Sequence, residues 1–189
     1  MDADKIRKFK QLAGQSLPEK IETSDLNKRK LGAQLLLSEL IEYIVRGLKI
    51  TPVYNGQIIT DPEAFQYQEI AGEEPDHLEM LDGLADVAYT MFWNSEAFGL
   101  PLKPAFNLVC DNNLEKFVKL ENWALGEQTY EGQDIDCKRD LKWPSEVVKV
   151  EVKNIEGDFF AVGKDKRGKV RKPATYKSVD LVELLKRHQ

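Results

Sequence analysis

Between residues 26 and 48 the chain carries apolar side chains around most of the girth of what its spacing predicts to be a helix. Ala33, Leu37, Leu40, Ile41, Ile44 and Leu48 recur at helical intervals and form one broad stripe, while Leu35, Leu36 and Val45 fall off it. A helix this apolar must be covered on more than one side, by a bundle or by a partner subunit. Its expected extent is 26–45, with Thr23, Ser24 and Asp25 offering capping oxygens before it and Gly47 ending it. Glu39, Glu42 and Arg46 interrupt the apolar run, so it does not read as a membrane span.

The remaining pattern is read around that helix. Residues 3–13 predict a first helix with Ile6, Phe9 and Leu12 on one face and Gly14 as a stop. Residues 77–98 predict a third, with Asp76 as cap and Gly99 and Pro101 closing it, and 104–120 a fourth. Asn55-Gly56 between 50–54 and 57–60 is a strong hairpin signal. After Trp123 the chain turns polar through 126–140. Short strands are then expected at 147–152 and 159–162, joined through Glu156-Gly157-Asp158. Residues 163–177 form a basic loop, and 180–187 a short last helix.

The 189 residues fit one domain, or one with an appendage, and 42% hydrophobic content suffices for a core. The net charge of −5 is unevenly spread. Residues 61–136 hold seventeen acidic side chains against three basic ones, whereas 137–189 hold fourteen basic against eight acidic. The absence of a basic stripe argues against binding duplex DNA. The start, Met-Asp-Ala-Asp-Lys, has no secretory character, and Cys110 and Cys137 stand in no metal-like spacing, so a cytoplasmic protein with reduced thiols is expected.

Two carboxylate pairs lie within the apolar helices. Glu39 and Glu42 share a strip of the second helix with Leu35 and Arg46; Glu79, Asp82 and Asp86 share a strip of the third with Trp93. Such strips serve either as solvated faces or as oxygen ligands for Mg²⁺ or Mn²⁺. Solvated faces are the commoner case; large apolar residues within the strips, and the absence of any Lys or Arg from 77 to 101, weaken that reading and leave the cation open. A di-iron bundle would need Glu-x-x-His on helices, and the single match, Glu74-Pro75-Asp76-His77, falls in a proline-containing loop.

Taken in order, Leu37-Ser38-Glu39-Leu40-Ile41-Glu42, Asp82-Gly83-Leu84-Ala85-Asp86 and Asn112-Asn113-Leu114-Glu115-Lys116-Phe117 resemble the all-α nucleoside triphosphate pyrophosphohydrolases. That superfamily includes the MazG, phosphoribosyl-ATP pyrophosphohydrolase and dimeric dUTPase types. Gly168-Lys169-Val170-Arg171-Lys172-Pro173-Ala174-Thr175-Tyr176, followed by Asp180-Leu181, resembles the ending of a MazG-like subgroup.

The resemblance implies an all-α fold: a four-helix-bundle core over 1–122 with a hairpin insertion at about 49–76. A C-terminal extension, 123–189, would carry short strands, the basic loop and the last helix. It implies a homodimer or homotetramer and hydrolysis of a (d)NTP to (d)NMP and diphosphate in nucleotide-pool control. Mg²⁺, or Mn²⁺, would be held by Glu39, Glu42, Asp82 and Asp86, with Glu39, Glu42 and Glu79 as candidates for catalysis. Asn113 would contact sugar or base, and Lys116, Lys169, Lys172 and Tyr176 the phosphates. Gly83 stands where the family has a glutamate, with Asp82 as its substitute, and Ser38 stands where many members have another. The base is open between dUTP or dCTP and dGTP or GTP. A non-catalytic helical interaction protein is the alternative.

Overall fold

A computed structural model describes residues 3–61, 64–131 and 142–188. Cys137 and most of the polar segment's second half lie outside the described residues. The described chain is mixed α/β, not the all-α four-helix bundle expected. Five α-helices are joined by two antiparallel sheets, one of two strands and one of four.

The helices are α1 (Asp4–Leu12), α2 (Leu26–Glu42), α3 (His77–Ala97), α4 (Leu102–Leu114) and α5 (Val182–Lys186); a π-helical turn, Tyr43–Gly47, continues α2. The strands are β1 (Val53–Tyr54), β2 (Gln57–Ile58), β3 (Val118–Lys119), β4 (Gln128–Glu131), β5 (Val147–Ile155) and β6 (Asp158–Asp165). The chain divides into two compact units, 18–85 and the combination of 1–17 with 86–189.

In the unit 18–85, Asp25 caps α2 by accepting from the Lys28 amide at 3.1 Å. Asp76 caps α3 through the amides of Leu78 and Glu79, at 2.9 and 3.2 Å. Replacing Asp76 by alanine leaves two first-turn amides to water and should cost about 1 kcal/mol, read as a lower thermal midpoint. Asn55 and Gly56 have φ of 50° and 76° between paired Tyr54 and Gln57, the two-residue turn whose twist suits a hairpin.

The second unit holds two clusters of buried apolar residues, and both are built on a sheet. The four strands run in the order β3-β6-β5-β4. β5 and β6 join through Glu156 and Gly157, with φ of 56° and 91°, the same turn solution as at Asn55-Gly56. Alternation sends Val150, Val152 and Ala161 to one face, where they pack with Leu120, Trp123, Tyr130 and Trp143. Val162 goes to the other face with Leu12, Ala13 and Phe117, against Phe9 of α1 and Leu114 of α4. Both faces are covered: Phe159-Phe160-Ala161-Val162 of β6 is apolar toward both, whereas β5 alternates valines on the first face with Lys149, Glu151 and Lys153 on the second.

The fourth helix ends at Leu114 instead of continuing to 120. The amides of Glu115, Lys116 and Phe117 turn to carbonyls three residues back, a tightening that closes the helix. From Phe117 the side chains alternate: Phe117 enters one core cluster, Val118 and Leu120 face the other, and Val118 pairs with Ala161. The extension after 123 thus shares its core with α1 and the end of α4.

The apolar residues of α2 and α3 stay outside these clusters. Leu35 is 56% exposed, Leu81 69% and Tyr89 69%. Trp93, Phe92 and Phe98 are exposed as well. No helix among the described residues is long and apolar enough to cross a membrane.

Candidate anion-binding site

The end of α4 and the loop after β6 bring together Asn113, Lys116, Lys169, Lys172 and Tyr176. Lys116 lies just past the helix, half-buried, with its Nζ donating to Asn113 Oδ1 at 2.6 Å and standing 5.6 Å from the centre of the Phe9 ring. Burial, and then the charges of Lys172 and Lys169, hold its ammonium below the usual lysine range. Lys172 and Lys169 therefore lie near enough to Lys116 for their charges to act on it. Lys172 Nζ sits 4.6 Å from the centre of the Tyr176 ring, a cation–π placement that fixes its direction.

The loop owes its form to short-range chemistry. Asp165 Oδ1 accepts from the amides of Arg167 and Lys169 at 2.9 and 3.0 Å, and Oδ2 pairs with Arg171 Nε at 3.0 Å. Burial would raise the Asp165 carboxyl, but those amides and the charges of Arg171 and Lys169 bring it below its ordinary value. Gly168, at φ 76°, supplies the left-handed residue the turn needs. Lys169 is thereby presented on an organised turn.

Tyr176, expected among the phosphate contacts, is tied to α4 by its hydroxyl. Its hydroxyl donates to Asn112 Oδ1. Burial and the Glu115 carboxylate push its proton affinity up, so it stays a neutral donor. Asn112 had no signal in the sequence beyond standing beside Asn113, and Phe9 read as a core residue of α1. Their parts here arise from contacts that spacing does not encode.

The carboxylates are arranged otherwise. Glu39, Glu79, Asp82 and Asp86 are exposed on α2 and α3, and Glu42, half-buried, pairs with Arg46 at 3.2 Å. Among the described residues no group of three or more His, Cys, Asp or Glu side chains is gathered to hold a metal ion. A Cβ at Gly83 would meet nothing within 4 Å, so crowding does not require glycine there. Cys110 is buried on α4.

Comparison with protein-family models, curated proteins and solved structures finds no match to this chain.

Proposed function

We propose that the protein is a nucleoside triphosphate pyrophosphohydrolase, converting a (d)NTP and water to (d)NMP and diphosphate in cytoplasmic nucleotide-pool control. The observation that carries the reading is the meeting of Lys116, Lys169 and Lys172 beside Asn113. Three cations, one of them half-buried and short of counter-charge, suit a polyphosphate far better than a singly charged ligand.

In this reading the lysines hold the β- and γ-phosphates, and Asn113 lies toward sugar or base. Water attacks the α-phosphorus, the bond to the bridging oxygen breaks, and diphosphate leaves against lysine charge. The water's proton passes to a carboxylate, with Glu39, Glu42 and Glu79 as the candidates. Mg²⁺, with Mn²⁺ as substitute, is the cofactor the resemblance implies, and Glu39, Glu42, Asp82 and Asp86 are its ligands in that reading. Among the described residues these four carboxylates are not gathered into one ligand set. A homodimer or homotetramer belongs to the same proposal, since Leu35, Leu81 and Tyr89 leave α2 and α3 with apolar surface to cover.

That exposed surface also favours a second reading, a non-catalytic helical interaction protein. Turnover separates the two. Each common ribo- and deoxyribonucleoside triphosphate, dUTP included, is incubated with the protein and Mg²⁺ or Mn²⁺, and nucleotide and phosphate products are resolved. The expected products are a monophosphate and diphosphate from at least one of them. Lys116→Ala should then raise KM about tenfold or more. Glu42→Gln or Asp86→Asn should abolish turnover with the helical signal intact. No turnover of any nucleotide, or orthophosphate as the product, would sink the proposal.

A further inference from the structure

We infer that Asn112 is a positioning residue, a latch that holds the lysine loop in binding geometry while its own side chain stays off the anion. The inference rests on the anion-binding reading above.

Asn112 lies in the last turn of α4 and is 9% exposed. Its Nδ2 donates to the Lys177 carbonyl at 2.6 Å and to Glu115 Oε2 at 3.3 Å, and its Oδ1 accepts from the Tyr176 hydroxyl. Both donor hydrogens are engaged within the protein. The distant partners are 64 and 65 residues away in sequence, so the side chain joins α4 to the far end of the loop.

The loop has an anchor at each end. Near its start, the Arg171 amide donates to the Gly163 carbonyl at 2.9 Å, and Val170 bridges to Lys164. At its end stands Asn112, with Tyr176 and Lys177. Lys172 lies between the anchors and leans on the Tyr176 ring, so the direction of its charge depends on where that ring is held. A loop that must be ordered at the moment of binding loses affinity by that cost, and an ordered one does not. An amide suits the role because one planar group both accepts from Tyr176 and donates to Lys177; an aspartate in its ionised form would have no donor for the carbonyl.

The test is a double-mutant cycle on binding of tripolyphosphate, measured by calorimetry in the presence of a metal chelator and at a temperature where every variant is folded. Asn112→Ala and Tyr176→Phe should each weaken binding about five- to tenfold, and the double variant no more than Asn112→Ala alone. Hydrogen exchange at 172–177 should quicken in each without ligand. Losses that multiply in the double variant would make Tyr176 a direct, independent contact and overturn the latch. Unchanged affinity with a lowered thermal midpoint would leave Asn112 a merely structural role and also overturn it. If Asn112→Ala does not fold, Asn112→Ser replaces it in the cycle. Failure of the unaltered protein to bind tripolyphosphate would overturn the anion site itself, and the latch with it.

Discussion

Replacing Glu151 by alanine should destabilise the protein by about 3 kcal/mol, the lower end of what breaking a buried ion pair costs. Glu151 is a buried acid on β5, on the sheet face that α1 covers. Lys149 and Lys164 each reach it, at 2.7 and 2.8 Å, and Lys153 stands at 3.9 Å. Lys149 and Lys153 have water within reach when the carboxylate is lost. Lys164, with only 13% of its side chain exposed, does not, and its stranded charge is the main cost. The check is a comparison of denaturation midpoints in which Glu151→Leu with Lys164→Met is less destabilised than Glu151→Leu alone. A double variant worse than the single one would remove the stranded lysine as the cause.

The same carboxyl sets a pH signature. Burial would raise its pKa, but the hydrogen bonds and charges of Lys149 and Lys164 outweigh it and lower the value from 4.5 to about 2. A depressed pKa contributes stability that is complete above the unfolded value and is lost as pH falls toward the folded one. Stability should therefore drop between pH 4.5 and 2 in the unaltered protein, and less steeply in Glu151→Gln. Parallel acid limbs for the two would show that Glu151 does not carry the effect.

Gly163→Ala should be comparably severe, at about 3 kcal/mol from overpacking. Gly163 is buried on β6, opposite Val150, and the Trp143 ring lies directly over it. An added Cβ would overlap Trp143 Cε3 and lie 2.7 and 2.9 Å from Cζ3 and Cδ2. Neither a rigid ring nor a paired strand gives way cheaply. The lesion should be repaired in part by Trp143→Leu, which makes room at that point. Thermal melts of the two single variants and the double one check this; purely additive losses would mean the ring is not what the methyl meets.

The elements legible in the sequence are those whose cause is local. Asn55-Gly56 and Glu156-Gly157 read as hairpins because a two-residue turn needs positive φ at both positions, and both have it. Asp76, and one of Thr23, Ser24 and Asp25, read as caps because an oxygen before a helix finds free amides; the structure selects Asp25. The end of α4 was not legible. Phe117, Val118 and Leu120 are as compatible with a helical stripe as with a strand, and only pairing with β6 selects the strand. The all-α expectation failed for the same reason, since β3, β4, β5 and β6 form a sheet by pairing residues such as Val118 with Ala161 across a long separation.

By itself the sequence determined the local turns and caps, and the inventory of chemistry: acidic helix strips, an Asn-x-x-Lys segment and a basic loop. Tertiary structure alone decided which of these meet. It set Lys116 beside Lys169 and Lys172, turned the Tyr176 hydroxyl to Asn112, and enclosed Glu151 among lysines. Each outcome depends on strands and loops closing over dozens of residues or on the sheet's register. Neither helical period nor strand alternation carries that information, because both describe only neighbours along the chain.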